Sequence, residues 1–181
     1  MDFAYTEEDE TFRAELQAWL DEHLPAFLEQ GEIGHEHADE TRRTMARRQA
    51  WQQRLHKGGW AAINWPKEWG GREATTMQNV IYSEVMARAK TPGIYNANGI
   101  WQIGPMIIRW GTDEQKQRWL PGICSGELIT AVAMTEPGIG SDLASMTTTA
   151  VRDGEVYVVN GSKTFITNGI NADVVITAVK T

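Results

Sequence analysis

The segment Ala133-Met134-Thr135-Glu136-Pro137-Gly138-Ile139-Gly140-Ser141-Asp142 is the most informative part of this 181-residue sequence. It begins like an apolar β-strand, and its Pro-Gly pair predicts that the strand ends in a tight turn. Gly138 and Gly140 lack a Cβ, so a ligand could approach the backbone closely. Free N–H groups, together with the Thr135 and Ser141 hydroxyls, could bind an anion or a heteroaromatic edge. A β-turn whose hydroxyls only satisfy their own backbone explains the pattern at least as well.

The second informative segment is Lys163-Thr164-Phe165-Ile166-Thr167-Asn168-Gly169. Alternate residues of a strand share a face, so a strand here would place Phe165 and Thr167 on the same side. An aromatic ring beside a hydroxyl suits a flat ligand, because the ring stacks and the hydroxyl forms a hydrogen bond. A core phenylalanine beside an incidental threonine is the alternative.

Around these two segments, the second half of the sequence has the pattern of a β-sheet. Short apolar stretches of strand length follow one another, and the Asp153-Gly154 and Asn160-Gly161 pairs between them are typical of hairpin turns. We therefore predict antiparallel β-structure with strands within residues 127–134, 147–153, 156–160, 163–167 and 173–180.

The first half of the sequence instead predicts helices. Thr6 is a candidate N-cap of a first helix that Pro25 bends or ends. Thr112 and Gln115 have the spacing of a capping box, and the helix that they open runs into Pro121. Hydrophobic periodicity predicts further helices at about 39–57, 75–90 and 94–110, the last interrupted near residue 104.

Helices first and strands second predict an α+β fold rather than a βαβ fold. We place a helical domain at residues 1–125 and the start of a β domain at residues 126–181. All eight tryptophans precede residue 120, and three of them lie in a loop at 60–71, which predicts a helical core or a large apolar pocket. The sequence ends inside or just after a strand, and four or five strands hardly close a barrel. We therefore expect an interrupted domain.

Charge and composition disfavour several functions. The net charge of −7 disfavours binding to nucleic acids or to anionic membrane surfaces. No apolar run approaches the ~20 residues of a membrane span, and the acidic N-terminus is unlike a signal peptide. A single cysteine, Cys124, excludes an intrachain disulfide and is typical of a cytoplasmic protein.

Other candidate sites have ordinary interpretations. His35 and His37 form an H-x-H pair, which we interpret as solvent-exposed loop histidines rather than metal ligands, so no metal site is predicted. Glu84 lies near the apolar stripe of its helix, and we interpret it as a partly exposed carboxylate paired with an arginine. Neither a Rossmann nor a P-loop glycine motif occurs.

Taken together, the two informative segments resemble signatures of the acyl-CoA dehydrogenase family. The family's TEPxxGSD signature corresponds to residues 135–142, and its aromatic-I-T-N-G signature corresponds to residues 165–169. Shorter matches at 65–71, 111–121 and 160–163 keep the same order and spacing. The resemblance covers essentially the whole chain and is much more specific than any one short motif.

The resemblance implies a fold and a cofactor. In that family a helical domain and a β domain are followed by a C-terminal four-helix domain, and FAD lies between the last two. Ser141 would then lie near the FAD pyrophosphate and the substrate's pantetheine, while Phe165 packs on the flavin and Thr167 bonds near N5. The complete set of implied cofactor-binding residues is Val132, Met134, Thr135, Gly140, Ser141, Phe165, Ile166 and Thr167.

The implied reaction is α,β-dehydrogenation of an acyl-CoA thioester in fatty-acid or lipid metabolism. A carboxylate removes the α-proton while the β-hydrogen leaves as hydride to the flavin, and electrons then pass to an electron-transfer flavoprotein. The full-length enzyme would be a homo-oligomer, either a dimer or a tetramer. The family's catalytic glutamate lies in the C-terminal domain, and no residue in 1–181 matches it. No catalytic residue is predicted here, and the chain alone is expected to be inactive.

The resemblance also suggests where the acyl group binds. The helix containing Tyr95, Asn98, Trp101 and Gln102 would line part of the pocket. Its polar residues Tyr95, Asn98 and Gln102 are therefore candidate substrate residues, together with Ser141. Ordinary packing between domains explains the same helix equally well.

Two other functions stay open on the sequence. Acyl-CoA oxidases and flavin monooxygenases share the fold and react with oxygen. A non-catalytic flavin-binding or scaffold subunit, paired with a catalytic chain, is the other alternative. A DNA-associated relative of the fold gains no support from the net charge of −7.

Overall fold

The computed structural model describes residues 4–30 and 42–181, and within these ranges helices precede strands. The helices are α1 (Glu7–Leu28), α2 (Arg42–Lys57), α3 (Thr76–Arg88), α4 (Gly104–Trp110) and α5 (Asp113–Ser125). The strands are β1 (Thr130–Ala133), β2 (Thr149–Asp153), β3 (Val156–Asn160) and β4 (Val174–Thr177). This order confirms the predicted α+β fold class. In the described part of the chain, no helix combines the length and apolar character needed to cross a bilayer.

Threonine caps explain where three of the helices begin. Thr6, Thr75 and Thr112 each accept a hydrogen bond from the backbone N–H three residues later, and the side chain of that later residue accepts from the threonine N–H. Each capping box satisfies two backbone donors near the start of a helix. The predicted caps at Thr6 and Thr112 are confirmed.

Pro25 lies inside α1 and does not end it, because the helix continues to Leu28. The residue that anchors the last turn is Phe27, which is buried and stacks at a tilt on Trp51 with ring centroids 5.0 Å apart. Arg47 also donates to the Phe27 carbonyl at 2.8 Å. These tertiary contacts offset the one backbone hydrogen bond that proline removes. Pro121 also lies inside a helix, because α5 continues past it to Ser125.

Buried tryptophans form the centre of the helical layer. Trp51, Trp60 and Trp65 are the largest fully buried side chains, and Phe12 packs edge-on against Trp60 with ring centroids 5.3 Å apart. The guanidinium of Arg72 lies 3.5 Å above the centroid of Trp60. Trp60 and Trp65 of the tryptophan-rich loop therefore belong to a helical core, which was one of the two predicted alternatives.

Residues 99–110 form a turn of π-helix, Gly99–Ile103, followed by α4. The predicted helix over 94–110, interrupted near residue 104, therefore changes type at the predicted position. The Gly104 N–H donates to the Gly99 carbonyl five residues earlier. The next such bond would run from residue 105 to the Ile100 carbonyl, but Pro105 has no N–H. Trp65 Nε1 donates to that carbonyl instead, at 2.9 Å. Its ring fills the space beside Gly104, where a Cβ would lie 1.9 Å from Trp65 Cζ2.

The four strands form two separate pairs. β2 and β3 are antiparallel around a turn at Gly154, which confirms the predicted Asp153-Gly154 hairpin. β1 and β4 are parallel, with Thr130 opposite Val174, so the expectation of antiparallel pairing is wrong for these two strands. Val132 and Ile176 of this parallel pair pack against the helical core. The end of β1 is thereby fixed on the helical layer.

Candidate functional site

The two informative segments lie side by side at the end of β1. The Thr164 N–H donates to the Thr135 carbonyl at 3.0 Å. Lys163 Nζ donates to the Met134 carbonyl, also at 3.0 Å. The chain folds this way because the backbone beyond β1 no longer pairs with β4, which leaves its carbonyls free for the later segment.

Glu136 is the ionic centre of this junction. Its carboxylate is almost fully buried, and Oε1 lies 3.0 Å from Lys163 Nζ. The backbone N–H groups of Thr147 and Thr148 donate to it at 2.7 and 2.8 Å, and the Thr147 hydroxyl donates at 2.7 Å. Hydrogen bonds from Thr148 and Thr147 hold the pKa of Glu136 well below its usual range. The side chain is therefore an ionised anchor that ties three parts of the chain together.

The turn after Glu136 leaves its backbone open to a ligand. Glu136 and Ile139 exchange backbone hydrogen bonds at 3.2 and 3.1 Å. A Cβ at Gly138 or Gly140 would meet no atom within 4 Å, and Ser141 is exposed. The space beside these two glycines is therefore open on the side where a Cβ would lie.

The second segment is a looped chain and not the strand predicted at 163–167. Phe165 and Asn168 adopt positive φ angles of 54° and 63°, which a strand does not permit. Two tight turns follow, in which Gly169 donates to the Ile166 carbonyl and Asn171 donates to the Asn168 carbonyl, both at 2.9 Å. The argument that strand alternation puts Phe165 and Thr167 on one face is therefore wrong.

Several of the predicted cofactor residues are nevertheless accessible. Phe165 is 92% exposed, Met134 is 38% exposed, and Thr167 is exposed. Val132, Thr135 and Ile166 are half-buried. Among the described residues, no group hydrogen-bonds to the hydroxyls of Thr135, Ser141 or Thr167.

A cavity of about 580 Å³ separates this loop from the helical layer. Tyr95 and Asn98 line one wall, and residues 166–171 line the other. Arg48 of α2 adds a positive charge to the lining. The structure therefore brings two predicted substrate residues opposite the predicted cofactor residues Ile166 and Thr167.

Other predicted site residues lie outside this cavity. Gln102 is exposed on the π-turn and does not line it. Phe165, Val132 of β1 and the predicted cofactor residues of the first segment do not line it either; the latter are Met134, Thr135, Gly140 and Ser141. They form the accessible surface at the end of β1, next to the cavity.

Three residues that organise this region were not singled out from the sequence. Lys163 forms an ion pair with Glu136. One signature segment contains a glutamate and the other a lysine, and these opposite charges could have suggested the pair. Asn96 and Thr130 are both fully buried and bonded to each other. No local pattern distinguishes Asn96 from the nearby Asn98 in the sequence.

The remaining candidates have structural roles or lie outside the described residues. Cys124 is buried beside His56, with Sγ 3.3 Å from Nδ1, and burial raises its pKa to about 11. Glu84 is 38% exposed and lies within 4 Å of Arg13 and Arg88, as predicted. His35 and His37 lie outside the described residues. Within the described ranges, no three or more His, Cys, Asp or Glu side chains are grouped as metal ligands.

Comparison with known families gives two matches that together cover most of the chain. The family described as "Acyl-CoA dehydrogenase, N-terminal domain" matches residues 6–127, and "Acyl-CoA dehydrogenase, middle domain" matches residues 131–181. One similar curated protein is "Acyl-CoA dehydrogenase IpdE1" of Mycobacterium tuberculosis (strain ATCC 25618 / H37Rv). It is 39% identical over 158 residues, which are 85% of this chain and 40% of that protein.

Two solved structures are similar over the whole of this chain. The ChsE4-ChsE5 complex from Mycobacterium tuberculosis has a TM-score of 0.78 and 35% identity, with 44% of that chain covered. The Tcur3481-Tcur3483 steroid ACAD has a TM-score of 0.75 and 34% identity, with 45% of that chain covered. This chain therefore spans less than half the length of these relatives.

Proposed function

Since the chain belongs to the acyl-CoA dehydrogenase family, we propose that it forms the flavin- and substrate-facing walls of an enzyme that dehydrogenates an acyl-CoA thioester between the α and β carbons. The observation that carries this proposal is the junction at the end of β1. There the Glu136–Lys163 ion pair and the Thr164–Thr135 hydrogen bond join the two signature segments. The second segment also faces Tyr95 and Asn98 across the cavity.

The exposed surface of the two segments fits FAD chemically. A flavin ring needs an apolar face and hydrogen-bonding groups, and a pyrophosphate needs free donors on a backbone that it can approach. Phe165 is 92% exposed, the Thr135 and Thr167 hydroxyls have no partner among the described residues, and a Cβ at Gly140 would meet nothing within 4 Å. We assign FAD binding to Val132, Met134, Thr135, Gly140, Ser141, Phe165, Ile166 and Thr167.

When bound, FAD accepts the hydride that leaves the β-carbon. Tyr95 and Asn98 hold the acyl group against the opposite wall, and Ser141 contacts the pantetheine. Glu136 is not the base that removes the α-proton, because hydrogen bonds surround its carboxylate and its lowered pKa makes it a weak base. Among the residues that the structure describes, no carboxylate lines the cavity. We propose that the base lies outside residues 1–181, so that these residues alone do not turn over substrate.

The proposal extends to domain organisation and partners. Residues 1–125 form the helical part and residues 126–181 form the flavin-contacting part. Electrons pass to an electron-transfer flavoprotein, and the whole protein is a cytoplasmic homo-oligomer.

A non-catalytic subunit of a two-chain complex is the second candidate. It is favoured by two similar solved structures, the ChsE4-ChsE5 complex and the Tcur3481-Tcur3483 steroid ACAD, which each bear a paired name. The second of these is a steroid ACAD, so the acyl groups worth testing include ring-bearing ones.

Anaerobic spectroscopy separates these functions. The protein is expressed from its uninterrupted reading frame, and its visible spectrum is recorded before and after addition of straight-chain, branched and steroid-side-chain acyl-CoAs. Bleaching of the flavin band by one of them supports dehydrogenation and identifies the substrate class. A flavin that no acyl-CoA reduces supports the non-catalytic subunit, and rapid reoxidation in air supports an oxygen-reactive enzyme. Absence of flavin contradicts the cofactor assignment.

A matched pair of variants tests the residue assignment. Thr167→Val removes the exposed hydroxyl with little change in shape and is expected to lower flavin retention or slow flavin reduction. Thr149→Val makes the same change at an exposed position on β2 and is expected to leave both unchanged. Equal behaviour of the two variants would contradict the role of Thr167.

A further inference from the structure

The cavity beside β1 has two walls that belong to distant parts of the sequence. One wall contains Tyr95 and Asn98, which precede the π-turn, and the other is the loop of residues 166–171. No strand pairing joins these two walls directly. Their separation must therefore be set by other contacts.

Both walls are hydrogen-bonded to a single residue, Thr130, at the start of β1. Asn96 lies between Tyr95 and Asn98 in sequence, and its Oδ1 accepts from the Thr130 N–H at 2.9 Å and from the Thr130 hydroxyl at 2.8 Å. On the other side, Asn168 Nδ2 donates to the Thr130 carbonyl at 3.2 Å. Thr130 is fully buried and pairs with Val174 of β4, so it is a fixed point of the fold.

Asn96 itself is held from the helical side. Its Nδ2 donates to the carbonyls of Ile123 and Leu128 at 3.3 and 2.9 Å. Its backbone N–H donates to Gln52 Oε1 at 2.9 Å. Asn96 and Gln52 are both fully buried. The amide of Asn96 therefore has a defined orientation, with its oxygen towards Thr130 and its nitrogen towards the end of α5.

We propose that Asn96 and Asn168 are positioning residues, which hold the two cavity walls at a fixed separation through their common partner Thr130. This inference rests on the proposed function, in which the substrate lies on the Tyr95 wall and the flavin lies on the Thr167 wall. The relay Asn96–Thr130–Asn168 then sets the distance across which hydride is transferred. Small errors in such a distance lower the rate strongly while the ligands still bind.

The test uses a charge-matched pair of variants in the protein expressed from its uninterrupted reading frame. Asn168→Asp keeps the size of the side chain and a residue type that tolerates positive φ, but it replaces the donor to the Thr130 carbonyl with an acceptor. Asn160→Asp makes the same change at an exposed residue at the end of β3. Thr130→Val is a third variant, which removes only the hydroxyl bond to Asn96.

Two measurements are made on each variant. Stopped-flow reduction of the flavin by a saturating acyl-CoA gives the hydride-transfer rate, and its concentration dependence gives the substrate Kd. Hydrogen exchange of the amides in residues 166–171 reports on the wall itself and needs no turnover.

We expect Asn168→Asp to slow flavin reduction by about tenfold or more, with a change in Kd of less than about threefold. Thr130→Val is expected to slow it by a smaller factor, and Asn168→Asp accelerates exchange in residues 166–171. Asn160→Asp alters none of these values. The proposal is overturned if the Asn168→Asp protein has the same flavin-reduction rate and the same amide exchange in residues 166–171 as the Asn160→Asp protein. Should no acyl-CoA reduce the wild-type flavin, the proposed function fails, and the exchange measurement alone decides whether the relay positions the loop.

Discussion

Trp65→Phe isolates the role of one indole N–H in the helical core. Trp65 is 2% exposed, and its Nε1 is the donor to the Ile100 carbonyl, which Pro105 leaves without a backbone partner. Phenylalanine keeps an aromatic ring at this position but has no donor. The variant therefore leaves a buried carbonyl unsatisfied and a small void where the second ring of the indole was.

The expected loss of stability has two contributions. An unsatisfied buried carbonyl costs about 1–3 kcal/mol. The apolar atoms lost from the larger ring cost about 1 kcal/mol more. We therefore expect the free energy of unfolding to fall by roughly 2–4 kcal/mol.

Equilibrium unfolding in urea, followed by far-UV circular dichroism, measures this loss. The control is Trp110→Phe, which removes the same atoms from an indole that is 75% exposed and should change stability by less than about 0.5 kcal/mol. Pro105→Ala restores an N–H that can donate to the Ile100 carbonyl, so Trp65→Phe should cost about 1 kcal/mol less in that background. A Trp65→Phe protein as stable as the Trp110→Phe protein would refute the reasoning.

Three further predictions concern the site and the buried cysteine. Gly140→Ala should leave the unfolding free energy unchanged or raise it by about 0.4–1 kcal/mol, because the added Cβ meets no atom within 4 Å, while purified protein retains less flavin; equal flavin content counts against the FAD assignment. Glu136→Gln should be less stable than wild type at pH 7, and the difference should fade as the pH falls below about 4.3, because a carboxyl with a lowered pKa stabilises the fold only when ionised; a difference that does not vary with pH contradicts this. The Cys124 thiol should react with a thiol reagent roughly 100-fold more slowly in the folded protein than in urea, because its pKa is raised by burial to about 11. Fast labelling of the native protein would contradict the burial of this thiol. Since the folded protein binds the thiol proton more tightly, stability should also decline as the pH rises from about 8.5 towards 11.

Helix starts were predictable because their causes are local. Thr6 and Thr112 bond to residues three positions later, so the signal lies within four consecutive letters of the sequence. Helix ends were less predictable, since the turn beyond Pro25 is held by Trp51 and Arg47 from another helix. A proline's local cost is visible in sequence, whereas the tertiary contacts that offset it are not.

The two signature segments were predictable as functional candidates, but their joint geometry was not. Lys163 forms an ion pair with Glu136, which is 27 positions earlier. Positive φ angles at Phe165 and Asn168 override the β-propensity that suggested regular alternation. The cavity depends on Asn96, whose partners lie between 27 and 44 positions away.

Strand pairing shows the same difference between local and distant causes. The β2–β3 hairpin follows from the Asp153-Gly154 turn, which is written in two adjacent residues. The parallel pairing of β1 with β4 joins Thr130 to Val174 across the whole loop region. No short-range pattern specifies that direction.

The packing of Trp65 against Gly104 also limits how this sequence can evolve. Alanine at 104 would place a Cβ 1.9 Å from the indole, so it requires a smaller side chain at 65. A smaller side chain at 65 in turn removes the donor to the Ile100 carbonyl. That carbonyl then has a donor only if residue 105 is no longer proline. Positions 65, 104 and 105 should therefore covary in an alignment of related chains, with tryptophan, glycine and proline inherited or replaced as a set.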